Sequence, residues 1–351
     1  MFDSNLILQP FQLNETIRLK NRIVMAPMTR NMANDDFSPT QEMVNYYARR
    51  ADAGLIITEG AVISPDGRGY SNTPGIYTRQ HVDGWKRVTH AVHEKKGKIF
   101  LQIWHVGRVS HPVFLDGALP VSPSETVMAG KIHRIEGLYY GKSRALSIDE
   151  IKTLINKYAQ AAARAMEAGF DGIEIHGANG YLIDQFLHYH TNKRNDVYGL
   201  EPKNLARFAL EVVEACIAEI GNQRVGLRLS PGTYLNEIVG DTRDANVFQY
   251  LLRQLTEKKI AYLHTGNFDD TALFPELGNK TMTEFMRIHF GGKLIASGGY
   301  IVQQANQQIL ENKFDLVALG RPFIANPDLI ERIKTASELK SYEATMLETL
   351  F

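Results

Sequence analysis

The stretch Gly172-Ile173-Glu174-Ile175-His176-Gly177-Ala178-Asn179-Gly180-Tyr181 gives the first indication of the fold. A short apolar segment stops abruptly in residues whose side chains can donate hydrogen bonds. The spacing of His176, Asn179 and Tyr181 fits neither the helical period of 3.6 nor the strand period of 2, so we expect a loop to aim them. Loops at strand ends carry the catalytic residues of α/β barrels. The stretch therefore predicts a strand that ends in a candidate active site.

Short β-rich apolar runs alternate with longer amphipathic segments along nearly the whole chain, a pattern typical of βα units with a parallel sheet. Eight candidate strands can be counted, at residues 22–25, 54–58, 99–103, 172–175, 224–229, 261–264, 293–296 and 315–319. An open doubly wound sheet is less favoured because the Gly-x-Gly-x-x-Gly fingerprint after the first strand is missing. We predict an α/β fold, a single (β/α)8 TIM barrel that fills residues 1–351 as one domain.

Two helices and one insertion stand out between these strands. Ser147 and Glu150 form a capping box for a helix over residues 147–168, which Gly169 ends, and a second helix is predicted over residues 203–220 before Gly221. Residues 106–144, after the third strand, are rich in Gly, Pro and Ser and exceed a normal connection. We interpret them as an insertion or lid that borders the substrate.

Composition limits the classes of partner. Lys plus Arg equals Asp plus Glu at 39 each, so no net field favours nucleic acid or an anionic membrane, and a small ligand is expected. The single cysteine, Cys216, is expected to be a buried structural thiol. Because the chain has only this one cysteine, an intrachain disulfide and a cysteine-ligated iron–sulfur cluster are excluded. With no apolar leader and no apolar run of about 20 residues, a cytoplasmic enzyme is expected. His188 and His190 lack a third ligand at useful spacing, so we predict no metal site and a structural or helix-terminal role for this pair.

The predicted strand ends are unusually polar, and they meet on one face of a barrel. Small residues with free backbone N–H groups follow the last two strands, as a phosphate requires, together with one arginine. These are Ser297, Gly298, Gly299, Gly320 and Arg321. A phosphorylated ligand is predicted from this combination. The alternative is that Gly298 and Gly299 serve only a tight turn.

Arg228 narrows the identity of that ligand, because a cation in an apolar run must be paired. A structural buried ion pair is one possibility, and a cofactor ring that becomes anionic on reduction is another. Gln102 offers a donor and an acceptor to an imide-like ring edge, and Thr29 offers a hydroxyl to a ring carbonyl. Flavin mononucleotide (FMN) has both the phosphate and such a ring.

The chain resembles the Old Yellow Enzyme family of FMN-dependent ene-reductases, nearest to bacterial alkene and N-ethylmaleimide reductases and plant oxophytodienoate reductases. The resemblance spans almost the whole chain and is carried by residues 21–30 (NRIVMAPMTR), 67–70 (GRGY), 74–76 (PGI), 102–108 (QIWHVGR), 176–187 (HGANGYLIDQFL) and 320–327 (GRPFIANP). It implies FMN contacts at Pro27, Met28, Thr29, Gly60, Gln102, Arg228, Gly298, Gly299, Gly320 and Arg321, to which the phosphate argument adds Ser297.

The resemblance also implies a reaction. NADPH or NADH gives hydride to the flavin, and an electrophilic alkene then takes it up at the same site. His176 and Asn179 bind the carbonyl or nitro oxygen and stabilise its developing charge, and Tyr181 protonates the α carbon. A monomer or a homodimer is expected. Neither the physiological alkene nor the choice of nicotinamide cofactor follows from the sequence.

Other functions stay open from the residues alone. A barrel aldolase or isomerase acting on a phosphorylated small molecule would need a strand-end base, for which Glu59 and Glu174 are the candidates. We expect Glu174 to alternate away from the His176 face only if the strand stays regular. A flavin-binding protein without turnover would lack the three hydrogen-bond donors His176, Asn179 and Tyr181, here called the donor trio. Trp104 could either pack the barrel rim or select the substrate, and the two interpretations are equally favoured. Phe268 is the one obvious aromatic residue in the segment after the sixth strand. No catalytic role is assigned to Tyr342 in the C-terminal tail.

Overall fold

The computed structural model describes residues 5–132 and 135–351. Eight parallel strands form a closed barrel in which each strand pairs with its neighbours in chain order. They are β1 (Ile23–Met25), β2 (Leu55–Val62), β3 (Ile99–Trp104), β4 (Gly172–Gly177), β5 (Val225–Leu229), β6 (Tyr262–Thr265), β7 (Leu294–Ala296) and β8 (Leu316–Leu319). The predicted (β/α)8 barrel and all eight predicted strands are confirmed.

The strands are buried along their whole length, as expected for a parallel sheet covered on its outer face by helices. One end of the barrel is closed by an antiparallel hairpin of Phe11–Gln12 and Arg18–Leu19. Its apolar side chains join a buried cluster with barrel residues such as Val24, Phe100 and Tyr262. Because this end is filled, polar ligand groups can gather only at the opposite, C-terminal end of the strands.

The helices connect and surround the strands. They are α1 (Gln41–Ala48), α2 (Arg79–Glu94), α3 (Ile148–Glu167), α4 (Leu182–Leu187), α5 (Pro202–Leu205), α6 (Arg207–Ile220), α7 (Asp244–Lys258), α8 (Met282–His289), α9 (Val302–Leu310), α10 (Arg321–Ala325) and α11 (Leu329–Lys334). The predicted capping box of Ser147 and Glu150 is present at the start of α3. The helix predicted over residues 203–220 is divided into α5 and α6, because a tight turn at Ala206 directs its N–H to the carbonyls of Pro202 and Asn204. None of the helices within the two described ranges is long and apolar enough to span a membrane.

The insertion after β3 is an ordered ribbon rather than an irregular loop. Val121–Ser122 pairs with Arg144–Ala145, and isolated bridges join Val127 to Lys142 and Lys131 to Tyr139. Two of its residues, His133 and Arg134, lie outside the described part of the chain. Met128 and Tyr140 from this ribbon pack in one cluster with Tyr181. The insertion therefore borders the candidate site, as predicted.

β2 and β4 run further past their predicted ends than the other strands do, which changes where their polar residues lie. β2 continues to Val62, so Glu59 and Gly60 lie inside the strand, at a register shift between Ile57 and Gly60. A bulge of this kind re-aims side chains near a barrel rim. β4 continues to Gly177, so His176 belongs to the strand and only Asn179 and Tyr181 belong to the loop. The expectation that a loop presents all three was wrong for His176.

Candidate active site

Four rings pack together at the C-terminal end of the barrel: Tyr70, Trp104, and the pair His176 and Tyr181 at the end of β4. Trp104, the last residue of β3, stacks on His176 with ring centroids 5.8 Å apart and on Tyr70 at 5.6 Å. Tyr181 stands on edge against Trp104 at 4.8 Å and against His176 at 5.0 Å. Edge-on and stacked contacts of this kind fix the planes of the rings. Trp104 therefore acts at least as the packing residue that orients His176 and Tyr181.

His176 is held as a neutral hydrogen-bond donor. Burial lowers the pKa of His176 well below its ordinary value, and the positive charge of Arg228 acts in the same direction. Its Nδ1 accepts the backbone N–H of Ala178 at 3.4 Å. A neutral ring that accepts at Nδ1 carries its proton on Nε2. His176 can therefore donate one hydrogen bond from Nε2 without carrying a charge.

Asn179 sits in a socket that fixes its backbone and its side-chain oxygen. Its φ of 62° lies in the left-handed region, which asparagine tolerates better than most residues. The backbone N–H donates to Ser230 Oγ at 3.1 Å, and the carbonyl accepts from Asn236 Nδ2 at 2.7 Å. The Tyr234 hydroxyl donates to Asn179 Oδ1. With that oxygen occupied, the amide presents its Nδ2 hydrogens as donors.

The Tyr181 hydroxyl is buried and hydrogen-bonded to another phenol. Tyr70 Oη lies 2.9 Å from Tyr181 Oη. Burial raises the pKa of Tyr181 to about 12, although the hydrogen bond with Tyr70 acts in the opposite direction. A phenol with this pKa is protonated at neutral pH. The Tyr181 hydroxyl therefore carries a proton that it can donate, and the hydrogen bond with Tyr70 fixes the position of this hydroxyl.

Arg228 brings a buried cation to the same end of the barrel. It lies opposite His176 in the β4–β5 pairing and opposite His264 in the β5–β6 pairing, and it is 8 % exposed. Its Nε donates to the Thr265 carbonyl at 3.4 Å. Within residues 5–132 and 135–351, no carboxylate lies within ion-pair distance of its guanidinium. This geometry favours a ligand partner for Arg228 over the structural ion pair.

Beneath Arg228, a carboxylate network occupies the barrel interior. Gln102 Nε2 donates to Glu174 Oε1 at 2.8 Å, and His264 Nδ1 lies 2.9 Å from Glu174 Oε2. Burial by itself raises the pKa of Glu174, but His264, Arg228 and Gln102 together hold it below the usual value. The ionised Glu174 therefore orients Gln102 and leaves its amide oxygen free to accept.

The position of Glu174 corrects one expectation. β4 is regular, and in a regular strand residues 174 and 176 share a face, so Glu174 points into the barrel together with His176. The two-residue repeat of a strand could have predicted this network from the sequence. Its members lie at interior positions of successive strands: Gln102, Glu174, Arg228 and His264.

Glycines and one arginine line the ends of β7 and β8, next to β1. Gly298 and Gly299 have φ of 130° and 83°, which side chains rarely adopt. A Cβ on Gly320 would come within 3.1 Å of Met28 Sδ, so the ends of β8 and β1 approach closely. Arg321 is exposed at the first position of α10, while Ser297 Oγ is turned inward and donates to the Thr265 carbonyl at 2.6 Å. Backbone N–H groups and Arg321, more than the Ser297 hydroxyl, are available here to an anion.

Comparisons with known proteins agree with this geometry. The family model described as NADH:flavin oxidoreductase / NADH oxidase matches residues 6–340. The flavin oxidoreductase hxnT of Emericella nidulans is 39% identical over 353 residues, which cover 93% of this chain and 89% of that protein. The structure of morphinone reductase in complex with tetrahydroNAD is 42% identical, with a TM-score of 0.89, and the match covers 97% of this chain and 93% of that one. The X-ray structure of the old yellow enzyme homologue from Zymomonas mobilis is 37% identical, with a TM-score of 0.90, and the match covers 97% and 96% of the two chains.

This chain belongs to the Old Yellow Enzyme family. It is therefore an NAD(P)H:flavin oxidoreductase, as the sequence motifs predicted.

Placed in this Old Yellow Enzyme frame, the predicted site residues form one continuous arc. The strand order β7-β8-β1-β2-β3-β4-β5 runs from the glycines through Pro27, Met28 and Thr29 to the interior polar residues and the donor trio. Sequence reasoning missed the groups that hold the trio in place, namely Tyr70, Ser230, Tyr234 and Asn236. Each is distant in sequence from the residue that it contacts, and no local pattern connects them.

Other predicted features lie at the margin of the site. Phe268 packs edge-on against Tyr234 with centroids 5.1 Å apart and is otherwise exposed. The C-terminal tail folds back on Arg30, whose Nη2 donates to the carbonyls of Met346 and Thr349 at 2.9 and 2.6 Å. Among the described residues, no cluster of three or more His, Cys, Asp or Glu side chains is placed to hold a metal ion.

Proposed function

We propose that this Old Yellow Enzyme binds FMN and reduces the activated C=C bond of α,β-unsaturated carbonyl, maleimide or nitro compounds. The observation that supports this most directly is the set of three neutral donors at the barrel mouth. The rings of His176 and Tyr181 pack edge-on 5.0 Å apart, Asn179 lies two residues before Tyr181, and the acceptor atoms of His176 and Asn179 are already occupied. Such a site favours a substrate oxygen that gains negative charge during reaction.

The residues of the arc fit FMN. Arg228 is a buried cation with no carboxylate in direct ion-pair contact in the described ranges, the charge of Glu174 reaching it only at longer range, and it would pair with an anionic ring edge. Gln102, oriented by Glu174, presents an amide edge to an imide. Gly298 and Gly299 hold the backbone after β7 at positive φ, and the exposed Arg321 supplies a charge for a phosphate. Pro27, Met28, Thr29 and Gly60 would complete the contacts, with Ser297 acting through its backbone.

When bound, FMN supplies the chemistry of accepting hydride from NADPH or NADH and passing it to the alkene. The side chains of this chain do the rest. His176 and Asn179 hold the carbonyl or nitro oxygen and stabilise the charge on it. Tyr181 gives its hydroxyl proton to the α carbon, so that hydride and proton together saturate the double bond, and solvent returns the proton.

The rival aldolase or isomerase function lacks a base at the mouth. Glu59 is 1% exposed, and its carboxylate accepts the backbone N–H groups of Arg30 and Asn31 at 3.1 and 3.3 Å. Burial raises the pKa of Glu59 to about 7, against the effect of these hydrogen bonds. The two oxygens of the Glu174 carboxylate are hydrogen-bonded to Gln102 and His264. Both carboxylates therefore have structural partners instead of a substrate proton to remove.

Purified protein tests the proposal directly. We expect a yellow flavin spectrum that NADPH or NADH bleaches under anaerobic conditions and that cyclohexenone or N-ethylmaleimide restores. Saturated cyclohexanone is the matched control and should leave the reduced spectrum unchanged. A colourless protein that does not take up FMN, or bleached protein that these alkenes leave bleached, would contradict the proposal. We also propose that residues 1–351 act as one FMN-binding domain on small molecules, as a monomer or homodimer.

A further inference from the structure

A buried ion cluster contacts the loop of residues 178–181, which carries Asn179 and Tyr181. His188, the residue that ends α4, is completely buried between two aspartates. Its Nδ1 lies 2.9 Å from Asp244 Oδ2, and its Nε2 lies 3.2 Å from Asp184 Oδ1. The two carboxylates are 0% and 2% exposed, respectively. The hydrogen bonds of these three side chains go to one another and to the backbone of Gly180, Tyr189 and Asp241, and to none of the residues proposed above to bind FMN or substrate.

Both ring nitrogens of His188 face carboxylate oxygens, so both must donate. Only the imidazolium form has two N–H groups, and a neutral ring would leave one buried carboxylate against a lone pair. Burial lowers the pKa of His188, but the charges and hydrogen bonds of Asp184 and Asp244 outweigh it and raise the pKa to about 10. Burial lowers the pKa of His190, two residues further on, and the charge of His188 acts in the same direction. His188 is therefore a fixed cation at neutral pH.

The two aspartates connect this cation to the two loops around Asn179. Asp184 Oδ2 accepts the backbone N–H of Gly180, which lies between Asn179 and Tyr181, at 2.7 Å. Asp244 Oδ2 accepts the backbone N–H of Asp241 at 3.1 Å, at the end of the loop that follows β5. His188 thus joins residues 178–181 to residues 230–243 through one carboxylate on each side.

These same two loops build the socket of Asn179. Residues 230–243 contribute Tyr234 to the amide oxygen and Asn236 to the backbone carbonyl. Both loops contain left-handed residues, Asn179 with φ 62° and Asn236 with φ 54°. Such conformations persist only where the surrounding contacts hold them. A cross-link between the loops is the contact that can do this.

We propose that His188, by bridging Asp184 and Asp244, is a positioning residue that fixes the two loops and so aims the Asn179 amide at the substrate oxygen. This inference rests on the proposed alkene reduction and deepens it. His188 does not touch substrate or cofactor and acts through Gly180 and the loop after β5. Its removal should therefore weaken substrate binding and the oxidative half-reaction without changing hydride transfer from the nicotinamide.

Two variants test the bridge with different risks to folding. His188→Gln removes the cation and leaves two buried carboxylates, which is the more damaging change. Asp184→Asn keeps the His188–Asp244 pair and weakens the two links that Asp184 makes, to Gly180 and to His188. The matched control is His93→Gln, because His93 Nε2 lies 2.9 Å from Asp171 Oδ2 near the closed end of the barrel, where Asp171 also accepts a backbone N–H.

Three readouts separate positioning from general stability. For both test variants we expect binding of p-chlorophenol, followed by its absorbance change with the flavin, to weaken by about 2- to 12-fold, the loss of one neutral hydrogen bond from the Asn179 amide. The anaerobic rate of flavin reduction by NADPH should stay within about twofold of wild type. Amide hydrogen exchange should accelerate in residues 178–182 and 231–241 and at Tyr189, whose N–H donates to Asp244 Oδ1, and should stay unchanged in the rest of the barrel. His93→Gln should show none of these changes.

Each outcome decides a different claim. If Asp184→Asn and the control bind p-chlorophenol equally well and exchange at equal rates in both segments, the positioning role is wrong. If exchange accelerates throughout the barrel, His188 is only a stability residue. If wild-type protein binds no flavin or reduces no alkene, the proposed function fails, and the exchange experiment still decides whether His188 joins the two loops.

Discussion

Replacing Tyr234 by phenylalanine tests whether the direction of the Asn179 amide is set by its socket. Ser230 Oγ has one proton, and its 2.6 Å contact with the Gly266 carbonyl uses that proton better than its 3.3 Å contact with Asn179 Oδ1. Tyr234 is therefore the donor that fixes the amide oxygen. Loss of one neutral hydrogen bond costs about 0.5–1.5 kcal/mol. If the whole loss appears in binding, affinity falls about 2- to 12-fold.

The assay is a titration of oxidised enzyme with p-chlorophenol, accompanied by KM for cyclohexenone. Tyr158→Phe is the control, because the Tyr158 hydroxyl in α3 is buried without a hydrogen-bond partner in the described structure. FMN content should be equal in both variants, since Tyr234 contacts Asn179 and not the proposed flavin residues. Unchanged phenol affinity in Tyr234→Phe, or loss of flavin from it, would show that the amide is aimed by something else.

Three other changes have defined outcomes. Tyr181→Phe should slow flavin reoxidation by cyclohexenone about 10²- to 10⁴-fold in stopped-flow measurements, the usual contribution of a general acid, while reduction by NADPH is unchanged; equal slowing of both steps would contradict the proton-donor role. Arg228→Met should weaken FMN binding about 10- to 100-fold, the loss of a charged hydrogen bond of about 1.5–3 kcal/mol, measured as flavin fluorescence in the ultrafiltrate, and retained flavin would count against the pairing. Because the pKa of His188 is raised on folding, its contribution to stability is complete below the ordinary pKa near 6.5 and is lost as pH rises towards about 10. The melting temperature of wild type should therefore fall more between pH 7 and 10 than that of His188→Gln, and parallel curves would show that His188 is not charged.

The barrel strands could be predicted from the sequence because each is a local apolar run that the fold buries completely. Strand ends were less accurate. β2 continues through Glu59 and Gly60, whose polar and small side chains are typical of a loop, because the carboxylate of Glu59 finds backbone N–H partners after β1. No local property of the sequence signals those partners.

The donor trio could be found because His176, Asn179 and Tyr181 lie within six positions of each other. The residues that control them are far away along the chain. Tyr70 is 111 positions from Tyr181, and Tyr234 is 55 positions from Asn179. Such pairings follow from barrel closure and from the ordered insertion, so a single sequence without relatives cannot reveal them.

His176 at the end of β4 and His188 at the end of α4 show how the surroundings of a buried histidine determine its protonation state and its role. His176 and His188 are both deeply buried, and burial alone disfavours the charged form of each. Arg228 and His264 lie near His176 and keep it neutral, whereas two carboxylates surround His188 and keep it charged. A neutral ring is suited to donate a hydrogen bond to an oxygen that gains charge, because its single N–H is too weak an acid to transfer its proton to that oxygen. A permanent cation is suited to cross-link two loops, because it attracts both carboxylates at once. The protonation states of these histidines therefore follow from whether cations or carboxylates face them, and they divide binding from positioning within one short segment of the chain.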